Sequence, residues 1–74
     1  MSAKRVLIID DEEPIRFALS TILQDQGYEV EASETGGAGL NKLKEKPFGI
    51  VLLDYNLPDI NGLEVAQKIR AIDN

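Results

Sequence analysis

The sequence predicts an α/β fold, three parallel strands alternating with three helices, on the strength of two observations. Two short apolar runs, Val6-Leu7-Ile8-Ile9 and Ile50-Val51-Leu52-Leu53, each stop on an acid, Asp10 and Asp54. Between and after them lie stretches of helical periodicity. Continuous β-branched and leucine runs suit strands covered on both faces, as in a parallel sheet. An acid directly after such a run sits at the carboxyl end of the strand, the edge where open α/β sheets bind ligands. If the two strands are neighbours, Asp10, Asp11 and Asp54 converge on one cleft. Solvated surface acids have no need of such convergence, whereas a divalent cation or a phosphoryl group does.

The first strand is read over Lys4 to Ile9. Pro14 suits the first turn of a helix, where its missing N–H costs nothing. Ile15, Ala18, Leu19, Ile22 and Leu23 then form one apolar stripe, with Phe17 off it, and Gly27 suits a left-handed cap. Tyr28 to Ala32 alternates with glutamates and reads as a shorter strand near an edge. Ser33 is the expected N-cap of a second helix reaching Lys46, with Ala38, Leu40 and Leu43 inward. Gly36, Gly37 and Gly39 each cost roughly 0.8–1 kcal/mol relative to alanine inside a helix, so an irregular start is expected. Pro47 closes that helix, and Phe48 to Leu53 is the third strand. Asn61 with Glu64 resembles a capping box for a third helix, whose stripe is Leu63, Ala66 and Ile69 with Ile72 in register.

Composition narrows the function. A chain of 74 residues is one domain or part of one, with marginal burial for its size. The net charge of −5 argues against nucleic acid or an anionic membrane as a direct partner. Without cysteine, disulfides and thiolate metal sites are excluded. No apolar run approaches the roughly 20 residues of a membrane span, and no signal-peptide core follows Met1, so a cytoplasmic protein is expected. Lys42, Lys44 and Lys46 read as a solvated helix face. The run Gly36-Gly37-Ala38-Gly39 lacks the G-K-[ST] ending of a nucleotide-binding loop, which argues against a phosphate cradle there.

Arg5-Val6-Leu7-Ile8-Ile9-Asp10-Asp11-Glu12, Val51-Leu52-Leu53-Asp54-Tyr55-Asn56-Leu57-Pro58-Asp59 and Asn61-Gly62-Leu63-Glu64 resemble the receiver domain of two-component response regulators. The resemblance runs in register over essentially the whole chain, as a partial receiver domain spanning 1–74. It implies a flavodoxin-like (βα)3 unit with strand order 2-1-3, lacking the fourth and fifth βα units of the family's 2-1-3-4-5 sheet. It further implies that Asp54 accepts a phosphoryl group from a sensor histidine kinase, and that the chain is a phosphoacceptor, not an enzyme. Mg²⁺ would be bound by Asp11 directly, Asp10 through a water, Asp54, and the backbone carbonyl of Asn56. Pro58 and Gly62 would shape the adjoining loop. Oxygen-only ligands suit Mg²⁺, a hard cation that retains waters.

The family's switch Ser/Thr, its late Lys and its aromatic switch residue have no counterparts here; Tyr55 and Phe48 are misplaced for the last, and no lysine follows Lys68. Gly49 stands where an acid often precedes the third strand. With order 2-1-3 the third strand becomes an edge, which predicts a homodimer through that edge, helix exchange between chains being the other route. The alternative to a phosphoacceptor is a self-associating structural half-domain with a vestigial metal site.

Overall fold

The computed structural model describes residues 4–54 and 57–73. Three strands, β1 (Arg5–Ile9), β2 (Glu29–Ser33) and β3 (Ile50–Leu53), alternate with α1 (Glu13–Asp25), α2 (Gly36–Glu45) and α3 (Gly62–Asp73). All pairings are parallel and the order is β2-β1-β3, as expected. Val6, Leu7, Ile8 and Ile9 are all fully buried, which explains why β1 carries no polar residue after Arg5. The register sets Leu7 beside Val51 and Ile9 beside both Ser33 and Leu53. These residues share the sheet face that α2 and α3 cover, and Leu7, Ile9, Leu40 and Val65 form its core.

Helix ends follow local chemistry in part. Pro14 lies in the first turn of α1, and Gly27 after the helix adopts φ of 94°, a conformation that favours glycine. The Asn61 side chain accepts from the Glu64 N–H at 2.8 Å, the capping half of the motif read from the sequence.

Three expectations are corrected. Ser33 does not cap α2: it ends β2, and Thr35 takes the role, its hydroxyl accepting from the Ala38 N–H at 3.1 Å. Ser33 instead extends the ladder by one residue, its carbonyl accepting from the Asp10 N–H at 3.0 Å. The start of α2 is regular helix from Gly36, for packing reasons given below. On α3 the inward stripe is Gly62, Val65 and Ile69, rotated from the expected one; Val65 is fully buried and Leu63 exposed. Strand and helix limits otherwise move by one or two residues.

The other face of the sheet is thinly covered. Val6 pairs with Ile50 and Ile8 with Leu52 in register on that face. Helix α1 lies there over β1 and β2, yet none of its residues is buried, and Phe17 is 73% exposed. Ile15 and Ile22 of the expected stripe are exposed as well, as is Ile50 at the edge of the sheet. Among the described residues, no helix is long and apolar enough to cross a membrane.

Candidate metal centre

Parallel pairing of β1 and β3 brings their carboxyl ends side by side, and the acids that follow come with them. The Asp54 N–H donates to the Ile9 carbonyl at 2.8 Å, continuing the ladder one step past β3. On the other side the Asp10 N–H donates to the Ser33 carbonyl of β2 at 3.0 Å. Asp10 is held at two further atoms. Its Oδ1 accepts from the Glu12 N–H at 2.9 Å, an Asx-type turn that opens α1. Its carbonyl accepts from Nη1 of Arg16 at 2.8 Å.

Asp10, Asp11 and Asp54 each place one carboxylate oxygen so that all three lie within 4.8 Å of one another. Asp10 and Asp54 are half-buried and Asp11 is exposed. Two oxygens on one Mg²⁺, each at about 2.1 Å, stand roughly 2.9 to 4.2 Å apart depending on whether they are cis or trans. The observed spacing therefore fits a set in which some carboxylates bind directly and another through water. An all-oxygen, acidic donor set at this spacing matches a hard divalent cation. Asn56, the remaining expected ligand, lies outside the described residues.

Sequence reasoning missed two contributors to the neighbourhood. One is Arg16, whose bond to the Asp10 carbonyl ties the first turns of α1 to the acidic loop. The other is Asp59 in the segment leading from Asp54 to α3. Its Oδ2 accepts from the Gly37 N–H at 2.8 Å and its Oδ1 from the Gly36 N–H at 2.9 Å. These bonds, Gly37's first and Gly36's next, hold the Asp59 carboxyl below the usual aspartate range. The N-terminus of α2 is thus occupied by a carboxylate of the chain itself, which closes the phosphate-cradle reading of the glycine run. Arg16 carried a readable signal, its position one turn into α1; Asp59 lies more than twenty residues from its partners and carried none.

A family model described as the response regulator receiver domain matches residues 6–74. The chain belongs to the receiver-domain family of response regulators. Among curated relatives, the uncharacterized transcriptional regulatory protein YkoG of Bacillus subtilis (strain 168) is 38% identical over all 74 residues, which cover 32% of that protein. A CheY-like receiver domain protein from Methanospirillum hungatei JF-1 superposes with a TM-score of 0.92 at 40% identity, covering 93% of this chain and 55% of that one. The response regulator TrrA from Thermotoga maritima, solved in complex with Mg²⁺ and BeF, gives a TM-score of 0.88 at 44% identity, covering 92% of this chain and 59% of that one. TrrA is also solved in complex with the histidine kinase ThkA. The receiver chain thus spans about a third of YkoG and somewhat more than half of the solved receiver chains.

Proposed function

We propose that this receiver chain is a phosphoacceptor, taking a phosphoryl group from a sensor histidine kinase onto Asp54 in the cytoplasm, and that it is not itself an enzyme. The observation that carries the reading is the meeting of Asp10, Asp11 and Asp54 at the carboxyl ends of β1 and β3. A carboxylate oxygen of Asp54 attacks phosphorus, the new O–P bond forming as the bond to the donor's leaving atom breaks. Asp54 emerges as an acyl phosphate, and the donor keeps the electron pair of the broken bond. Asp10 and Asp11, with Asp54 and the carbonyl at Asn56, would hold Mg²⁺. When bound, that ion supplies charge neutralisation between the carboxylates and the incoming phosphoryl oxygens. The chain's own part is to fix Asp54 by its ladder bond to Ile9 and Asp10 by its bonds to Ser33, Glu12 and Arg16. A kinase partner is supported by the TrrA–ThkA complex of a 44% identical relative.

Incubation with a small acyl-phosphate donor and Mg²⁺ is expected to add one phosphoryl group, seen by intact-mass spectrometry. Asp54→Asn is expected to add none, and chelation of the metal to slow the wild type strongly. A phosphoryl group appearing on another aspartate while Asp54 stays free would contradict the reading.

We further propose that the chain as given self-associates through the edge of β3, as the homodimer expected from the sequence. Ile50 there is 38% exposed, and β3 has β1 as its neighbour on one side alone among the described strands. Val51 packs into the core, so Ile50→Lys is the suitable probe of the edge. Sedimentation at micromolar concentration should show a dimer that Ile50→Lys weakens; a folded wild-type monomer would refute it.

A further inference from the structure

Asp11 is the exposed member of the acid cluster, and its carboxylate has no hydrogen bond or ion pair among the described residues. An exposed side chain without partners takes its direction from the backbone that carries it. Two peptide groups flank the Asp11 Cα, and each is held from outside that residue. The peptide before it is held at the Asp10 carbonyl, which accepts from Nη1 of Arg16 at 2.8 Å. The peptide after it is held at the Glu12 N–H, which donates to Oδ1 of Asp10 at 2.9 Å. The second hold comes from the acidic loop itself. The first comes from α1, through Arg16.

Helix α1 does not itself favour a cation at this position. Arg16 is its fourth residue, near the positive end of the helix dipole, where acids stabilise and cations do not. Glu12 and Glu13 stand at helical spacing from it, yet neither forms an ion pair with its guanidinium among the described residues. Helical side chains lean toward the N-terminus of their helix, so a long one here reaches back over the turn that precedes α1. Arg16 is half-buried along that path and ends on the Asp10 carbonyl.

We infer that Arg16 is a positioning residue of the metal centre: by holding the Asp10 carbonyl it sets the peptide from which Asp11 projects, and so aims the Asp11 carboxylate at those of Asp10 and Asp54. This rests on the phosphoacceptor reading, in which Asp11 binds the ion directly. A cation beside three carboxylates has an opposite effect as well. As a charge alone it competes with Mg²⁺, and its removal would tighten metal binding. The sign of the change in affinity therefore separates positioning from charge balance.

The test compares wild type, Arg16→Ala, Arg16→Lys and Leu19→Ala in the full 74-residue chain. Leu19 is half-buried on the same helix, so its truncation weakens α1 without touching the bond to the loop. Calorimetric titration with Mg²⁺ alone should show affinity about tenfold weaker for Arg16→Ala, the low end of what loss of a supporting contact does to a metal site. Arg16→Lys, which keeps the charge and a donor on a shorter stem, should fall between it and wild type. Leu19→Ala should bind as wild type does. In the metal-free proteins, the backbone order parameters of Asp11 and Glu12 should fall in Arg16→Ala, from about 0.85 toward roughly 0.6, and hold in Leu19→Ala. Unchanged or tighter binding in Arg16→Ala reduces Arg16 to a counter-charge and overturns the inference. Equal weakening in Arg16→Ala and Leu19→Ala reduces it to helix stability and overturns it as well. A wild type that ignores Mg²⁺ would instead defeat the phosphoacceptor reading, and the metal-free order parameters would still decide whether Arg16 holds the loop.

Discussion

Millimolar Mg²⁺ is expected to raise the thermal midpoint of the wild-type chain, and Asp11→Asn is expected to abolish the rise. Three carboxylates within 4.8 Å repel one another in the folded state, and unfolding disperses them. A cation bound by the folded form alone stabilises by RT ln(1 + [L]/Kd), about 2.7 kcal/mol at one hundred times Kd. In a domain of this size each kcal/mol moves the midpoint by roughly 4–8 °C, so the rise should be easily resolved. Asp11 is exposed, so its replacement by the isosteric amide leaves the packing untouched and removes one anionic ligand. Asp25→Asn, at the far end of α1, makes the same change of charge away from the site and should leave the effect intact. An equal rise in wild type and Asp11→Asn would show that Mg²⁺ acts elsewhere or nonspecifically.

Gly39→Ala should destabilise the protein although alanine is the better helix former. Propensity alone favours the substitution by about 0.8–1 kcal/mol. Against it stands a Cβ driven into the side chain of Ile9, which is fully buried on the central strand of the sheet. Overpacking of this kind typically costs about 1–3 kcal/mol, and the near-contact with a fixed core residue places Gly39 toward the upper end. A net loss of about 1–2 kcal/mol in urea denaturation is expected. The cause can be isolated with Ile9→Val, which removes the Cδ1 methyl nearest the new Cβ. Ile9→Val alone should cost about 0.5–1.5 kcal/mol, and the double variant should lose less than the sum of the two. Strict additivity, or stabilisation by Gly39→Ala, would mean that α2 can shift away from β1 at no cost.

The parts of this molecule readable from the sequence are those set by residues close together in the chain. The apolar runs ending on Asp10 and Asp54 marked two strand ends, because continuous large apolar runs suit strands of a parallel sheet; β1 is buried on both faces as that pattern implies, whereas Ile50 of β3 is exposed. Asn61 with Glu64, Pro14 and Gly27 each signal a helix boundary through bonds or angles confined to a few residues. The misreadings were all decided by distant partners. Ser33 and Thr35 are both good caps, and the choice between them depended on how far β2 runs beside β1. The glycines of α2 read as a weak helix start by propensity, whereas a Cβ at Gly36 would meet Ile60 and Val65 and one at Gly39 would meet Ile9, residues far off in sequence. The stripe of α3 rotated to bury Val65 for a similar reason: α2 packs beside it on the same sheet face, closely enough to exclude a Cβ at Gly36. On α1, periodicity marked Ile15 and Ile22 as inward, but that face of the sheet leaves both exposed.

The central claim is that Asp10, Asp11 and Asp54 act as one cation site. Mn²⁺, a paramagnetic ion of the same charge and ligand preference, reports its own position by broadening nearby amide resonances. Added at a small fraction of the protein concentration, it should broaden Asp10, Asp11, Glu12 and Asp54 first, spare Gly27 and Lys46, and lose this pattern in Asp11→Asn. Broadening centred on Glu12, Glu13 or any other surface acids, with Asp54 left sharp, would contradict it.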